Sequence, residues 1–210
     1  LFNLRRMLMN KSFIIKIIVL CLVTIKVSAI EKVILFGDSL MAGYGLPKEQ
    51  HLSVVLQNSL ELEGHNIKII NGSVSGSTSA GGLNIAEWTL SENNIDLMIL
   101  CLGANDMLRG INPKETKNNL EEIIKIAKSK NIKIIIAGMI APTSYGFEYK
   151  KSFDKIFSDL SKKHKLQLIP FLLEGVAQKP EFNLSDGMHP NDQGTIIISN
   201  TLKKAILKNL

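Results

Sequence analysis

The chain has 210 residues, with 25 Lys and Arg against 19 Asp and Glu and a formal net charge of +6. That length suits one domain with a single substantial core. Five basic residues (Arg5, Arg6, Lys11, Lys16 and Lys26) fall in the first 29 positions, which hold no acid. The remaining 20 basic and 19 acidic residues nearly cancel, which gives no support for a polyanion binder, and no nucleic-acid partner is expected.

The chain opens on the pattern of a secretory signal. Basic residues lead into the apolar run Ile17–Ile25, and Val27-Ser28-Ala29 supplies small residues where a signal peptidase cleaves. The run is too short for a comfortable membrane span. Met9 is a candidate start, and cleavage after Ala29 leaves one mature domain, 30–210, with a periplasmic or secreted location. A retained membrane anchor is the alternative. Leu20-Cys21 is a poor lipidation site because the residue before the cysteine is large. Once Cys21 is removed Cys101 is alone, so no intramolecular disulfide forms. Its apolar neighbours Met98, Ile99, Leu100 and Leu102 mark it as a buried hydrophobe.

Beyond residue 29, short β-branched runs alternate with helical patterns. Val33–Phe36 reads as the first strand and runs into Gly37-Asp38-Ser39-Leu40. Leu52, Val55, Leu56, Ser59 and Leu60 form a helical stripe. Ile67–Ile70 is the second strand, followed by Ser75-Gly76-Ser77-Thr78. Leu97–Leu100, a continuous apolar run of the kind covered on both faces, is the third and leads to Gly103-Ala104-Asn105-Asp106. Pro113 suits a first helical turn, and Leu120, Ile123, Ile124 and Ala127 continue that helix. Ile132–Ile136 and Leu166–Ile169 are the fourth and fifth strands, with Phe153, Ile156, Phe157 and Leu160 as a helical stripe between them. Asp186-Gly187-Met188-His189-Pro190 then precedes a closing helix from Ile196 to Leu207. This alternation predicts an α/β fold, a five-stranded parallel sheet sandwiched by helices with right-handed crossovers. Active groups of such sheets gather beyond the carboxyl ends of the strands. The first three polar stretches fall there.

Those stretches contain the parts of a serine hydrolase. Ser39 supplies a hydroxyl at the mouth of the sheet, with Gly37 expected to let the backbone turn sharply. Met41 in place of a second glycine excludes the Gly-x-Ser-x-Gly elbow. Taken alone, Ser39 also suits a helix N-cap. Gly187 and Pro190 put Asp186 and His189 in a loop rather than on a helix face. There the carboxylate can accept from Nδ1–H and leave Nε2 free to take the serine proton. Gly76, Asn105 and the Ser39 N–H are candidate oxyanion donors. A turn glycine and an Asx turn are the bland alternatives for the first two. The other histidines, His51, His65 and His164, sit in surface-like contexts and are too scattered for a metal.

These four stretches resemble the sequence blocks of the SGNH, or GDSL, hydrolase superfamily, and the resemblance covers roughly Lys32 to Leu210. It is strongest to the bacterial periplasmic branch with acyl-CoA thioesterase, lysophospholipase and arylesterase activity. The supporting segments are Leu35–Tyr44, Ser75–Ser79, Gly103–Gly110 and Asp186–Asn191, with Pro142 and Tyr145-Gly146 echoing the wall of an acyl groove. The resemblance implies a flavodoxin-like three-layer α/β/α fold, no metal and no cofactor. It places the nucleophile on Ser39, the oxyanion donors on Gly76 and Asn105, and the acid and base on Asp186 and His189. Two departures, Ser77 after the oxyanion glycine and Ile140-Ala141 before Pro142, bear on preference for long acyl chains rather than on the chemistry.

The expected substrates are small-molecule acyl esters or thioesters, lysophospholipids among them, hydrolysed by a monomer through an acyl-enzyme. Met107, Leu108, Ile111, Pro142, Tyr145 and Phe147 suggest apolar lining, and Arg109 is either a contact for an anionic headgroup or a helix C-cap. A carbohydrate O-acetylesterase of the same superfamily is the alternative. A non-catalytic flavodoxin-like binding domain is disfavoured because Asp38 is badly placed for an anion and no Gly-rich phosphate loop with lysine is present.

Overall fold

Five strands, β1 Lys32–Gly37, β2 Lys68–Asn71, β3 Leu97–Cys101, β4 Lys133–Ala137 and β5 Gln167–Ile169, form one parallel sheet in the order β2-β1-β3-β4-β5. The computed structural model describes residues 30–91 and 94–210, and the expected signal segment at 1–29 lies outside them. Strand composition follows strand position. β1, β3 and β4 are apolar and almost wholly buried, whereas the edge strands β2 (Lys-Ile-Ile-Asn) and β5 (Gln-Leu-Ile) carry polar residues and are partly exposed.

Among the described residues seven α-helices accompany the sheet: α1 Ser39–Ala42, α2 Leu52–Leu62, α3 Ser79–Thr89, α4 Ala104–Leu108, α5 Pro113–Ser129, α6 Phe147–His164 and α7 Asp192–Leu207. α2 packs on α7, while α5 packs between α3 and α6. The chain crosses from β1 outward to β2 and then back past β1 to β3, so right-handed crossovers put α2 on one face and α3, α5 and α6 on the other. The expected stripes face the core: Leu52, Leu56 and Leu60 from α2, Leu120, Ile123, Ile124 and Ala127 from α5, and Phe153, Ile156, Phe157 and Leu160 from α6. Cys101 is buried, and the lack of solvation pushes its thiol well above its ordinary value.

Several expectations need correction. The strand boundaries move by one residue, and α3 has no counterpart in the sequence reading because Gly81 and Gly82 dilute its pattern. Gly82 is there for space, since a Cβ would lie 2.3 Å from Leu102 Cδ1. His164 is turned toward Glu121 at 3.0 Å rather than free at the surface. Gly37 does not make the sharp turn either. It lies within β1 opposite Cys101, and a Cβ there would meet the Cys101 carbonyl oxygen at 2.6 Å and Met41 Cγ at 2.7 Å. The site needs a glycine because two strand ends and α1 converge on it.

Gly37→Ala is therefore expected to destabilise the protein by about 1–3 kcal/mol through overpacking against backbone. Urea unfolding measures this, and a midpoint unchanged from wild type would refute it.

Candidate active site

The switch in strand order between β1 and β3 opens a crevice at their carboxyl ends. Ser39 enters it as the first residue of α1, directly after the buried Asp38. Asp38 caps that helix by accepting from the Leu40 N–H at 3.1 Å. Asn105 enters from the first turn of α4, after β3. Its Nδ2 donates to the Ser77 carbonyl at 3.1 Å and to Asp38 Oδ2 at 3.3 Å. Two acceptors on one side require the amide nitrogen there, not the oxygen.

Gly76 lies in the turn after β2 with φ +78, a left-handed conformation with open space around its α-carbon. Its N–H donates to no acceptor among the described residues. Asn105 reaches this turn through Ser77, and Arg109 reaches it by donating to the Gly76 carbonyl at 3.1 Å. Arg109 also ends α4, its own N–H bonding back to Asn105 and Asp106.

The loop before α7 carries the remaining groups. An antiparallel bridge between Asn183 and Pro190 closes it, and the Leu184 N–H donates to the His189 carbonyl at 2.8 Å. Inside the loop, Asp186 Oδ1 accepts from the Met188 N–H at 2.9 Å and the His189 N–H at 3.0 Å. Asp186 Oδ2 lies 2.7 Å from His189 Nδ1, and Nε2 on the other side of the ring lies 2.9 Å from Ser39 Oγ. With Nδ1–H given to Asp186, Nε2 is the acceptor for the serine proton. The structure thus joins Ser39, His189 and Asp186 in one hydrogen-bonded line.

Two carboxyl groups are shifted in opposite directions. Partial burial works to raise Asp186, but the N–H groups of His189 and Met188 and the His189 ring outweigh it and bring the carboxyl down to about 2. Complete burial pushes Asp38 up to about 6, only partly offset by the Leu40 N–H, the Asn105 amide and nearby His189. Neither position is visible in the composition of the four stretches.

A groove of about 830 Å³ leads from Ser39, Asn105 and His189. Met107, Leu108 and Pro142 line it as expected. Ile140 and Ala141, noted beside Pro142, line it too, and the ends of β4 and β5 add Met139, Phe171 and Leu173, which the sequence reading missed because they reach the site only through the strand order. Tyr145 is not among the lining residues. Its ring stacks on Tyr149 at 5.5 Å, at the start of an aromatic row that continues through Phe153 to Phe157. Ile111 and Phe147 also stay outside, the former with its carbonyl accepting from Tyr149 Oη and the latter largely exposed beside Lys151. Among the described residues no group of His, Cys, Asp and Glu could hold a metal ion.

The Asp38 shift makes a signed prediction. A folded-state value near 6 against 3.8 in the unfolded chain means the folded protein binds the proton more tightly. Its contribution to stability is complete below pH 3.8 and is lost as the pH rises through 6. Asp38→Asn should therefore gain on wild type by about 2 kcal/mol between pH 4 and pH 7, measured by denaturant unfolding at each pH. A pH-independent difference between the two proteins would contradict it.

Comparison with known proteins identifies the family. Residues 35–195 match the GDSL-like lipase/acylhydrolase family. An arylesterase of Vibrio mimicus is 36% identical over 182 residues, which cover 87% of this chain and 91% of its own. The thioesterase 1/protease 1/lysophospholipase L1 of Escherichia coli K12 is 30% identical over 187 residues, 89% of this chain and 88% of its own. The crystal structure of TesA matches with a TM-score of 0.81 and 31% identity, over 86% of this chain and 100% of that one. The matched region contains all four polar stretches, so the chain belongs to the GDSL-like lipase/acylhydrolase family and is a hydrolase of ester bonds.

Proposed function

We propose that Ser39 is the nucleophile, His189 the base that activates it and Asp186 the group that orients His189. The observation that carries this reading is the continuous line from Asp186 Oδ2 through His189 to Ser39 Oγ, with contacts of 2.7 and 2.9 Å. As Ser39 Oγ bonds to the acyl carbon, its proton passes to His189 Nε2. Asp186, held near 2, stays ionised and opposes the imidazolium charge. The carbonyl oxygen, now an oxyanion, accepts from the N–H groups of Ser39 and Gly76 and from Asn105 Nδ2. The oxyanion replaces the longer of the two Asn105 contacts, the one to Asp38. Collapse breaks the bond to the leaving alcohol or thiol, which takes the proton from His189. Water then attacks the acyl-enzyme by the same route and releases the acid.

The apolar floor formed by Met107, Met139, Phe171 and Leu173 favours an acyl chain over a sugar acetate. We assign to this site acyl esters and thioesters, including single-chain lysophospholipids, in keeping with the activities for which the Vibrio and Escherichia relatives are named. We assign the activity to a single hydrolase domain over 30–210, acting as a monomer. The basic, apolar and small pattern of 1–29 supports export to the periplasm or beyond. No helix among the described residues is long and apolar enough to cross a membrane.

Hydrolysis of p-nitrophenyl esters from acetate to palmitate by wild type and Ser39→Ala tests the reading. Ser39→Ala should lose on the order of 10⁴-fold in kcat or more, and its retention of activity would end the proposal. An optimum above acetate supports the acyl-lipid assignment, whereas activity confined to acetate points to an acetylesterase. Asn105→Ala should cost about 2.7–4 kcal/mol of transition-state stabilisation, read as a 10²–10³-fold fall in kcat. A fall of less than tenfold would remove Asn105 from the oxyanion site.

A further inference from the structure

The hydrogen bonds at His189 fix the edge of its ring but leave the faces to packing. One face is covered by Tyr44, whose ring centroid lies 4.5 Å from that of the imidazole at an interplanar angle of 38°. Tyr44 is half-exposed, so the protein gains little core from it, and yet it sits directly over a group in the reacting line.

The turn that carries Tyr44 is built to hold it there. α1 ends at Gly43, the Tyr44 N–H returns toward the Ser39 carbonyl at 3.4 Å, and the Leu46 N–H donates to the Gly43 carbonyl at 3.3 Å. The glycines on both sides of Tyr44 have positive φ, +88 at Gly43 and +74 at Gly45. A Cβ on Gly43 would strike the His51 ring at 2.5 Å, and one on Gly45 would strike Leu184 Cδ1 at 2.7 Å. Leu184 belongs to the loop of Asp186 and His189, and its N–H holds the His189 carbonyl. The Tyr44 turn is thus packed on the base-bearing loop at its backbone and on the base itself at its ring.

From this we infer that Tyr44 is a positioning residue, which locks the His189 imidazole in register with Ser39 by covering its face from the same helix and turn that carry the nucleophile. The inference rests on the assignment of His189 as the base. Ser39 and Tyr44 are joined by the rest of α1 and Gly43, so any displacement of the nucleophile carries the aromatic cover with it. The same ring lies against the imidazole whose Nδ1–H bonds to Asp186 in an otherwise exposed loop. The ring performs the task and the hydroxyl is not needed for it.

Tyr44→Leu and Tyr44→Phe test the inference, with Ser39→Ala as reference. Tyr44→Leu should lower kcat about 10–100-fold with KM essentially unchanged, the effect of a misplaced base on a site that still binds substrate. Tyr44→Phe should restore wild-type kcat. In ¹⁵N-labelled protein the His189 Nδ1 proton should give a slowly exchanging signal in wild type, Tyr44→Phe and Ser39→Ala, broadened or lost in Tyr44→Leu. If Tyr44→Leu matches wild type in both kcat and this signal, Tyr44 has no positioning role. A Tyr44→Phe as impaired as Tyr44→Leu would equally overturn it, by making the hydroxyl the active part. Should Ser39→Ala retain activity, the assignment of the reacting line fails instead, which separates the two failures.

Discussion

Where β1 meets β3, Gly37 lies opposite Cys101 with no room for a side chain between them, and this close pairing sets the distance between the two halves of the site. Ser39 is two residues beyond Gly37 and Asn105 four beyond Cys101, so the strand register fixes where a hydroxyl and an amide can stand relative to each other. The order β2-β1-β3 supplies the rest. Because the chain leaves β1 toward β2 and β3 toward β4, the two connections diverge and leave a crevice between them. The turn after β2 comes in along its rim, where the Val74 N–H donates to the Gly37 carbonyl at 3.0 Å and brings Gly76 alongside. A change of register by one residue would exchange the two buried faces of a strand, and both the packing and the placement of Ser39 against Asn105 would be lost.

Holding Asn105 in that crevice requires a buried anchor, and the next residue provides it. The wholly buried carboxyl of Asp106 accepts from the Ser79 N–H at 2.7 Å, from the Ser79 hydroxyl and from Thr116 Oγ1 at 3.0 Å. Asn119 completes the cluster by donating to Ser79 Oγ at 3.0 Å. The partners come from α3 and α5, so α4, only five residues long and unable to hold itself, is tied to two long helices. A buried carboxyl with every oxygen satisfied is tolerable where an unsatisfied one is not. Rigidity that α4 lacks by itself is thus supplied by side chains from elsewhere in the chain.

Sequence patterning carried the layers well and the groove poorly. The buried strands read clearly because continuous β-branched runs such as Val33–Phe36 and Leu97–Leu100 have few other uses, and the α5 and α6 stripes read clearly because their exposed faces are strongly charged. α3 did not, since Gly81 and Gly82 serve close packing rather than helix propensity. The four polar stretches named Ser39, Gly76, Asn105, Asp186 and His189, and the fold brings them to one crevice. Tyr145 is near Pro142 in sequence, but its ring stacks on Tyr149, a direction that sequence proximity does not specify. Met139, Phe171 and Leu173 were missed for the converse reason, being close to Ser39 only across β3 and β4.

Asp186 and His189 were legible for a further physical cause: their geometry is local. Every contact that Asp186 makes with its oxygens is to a residue two or three positions away, and the Asn183–Pro190 bridge closes the loop around them. Such a unit carries its own instructions, which is why its sequence alone announces a carboxylate paired with an imidazole. What it cannot encode is where the pair must dock. That information resides 140 residues or more earlier in the chain, in the turn after α1, where Gly45 admits Leu184 and Tyr44 covers the imidazole. The reacting line is therefore assembled from a self-sufficient loop and a rigid strand end. The contact between them, rather than either part, is where a small side-chain change costs most.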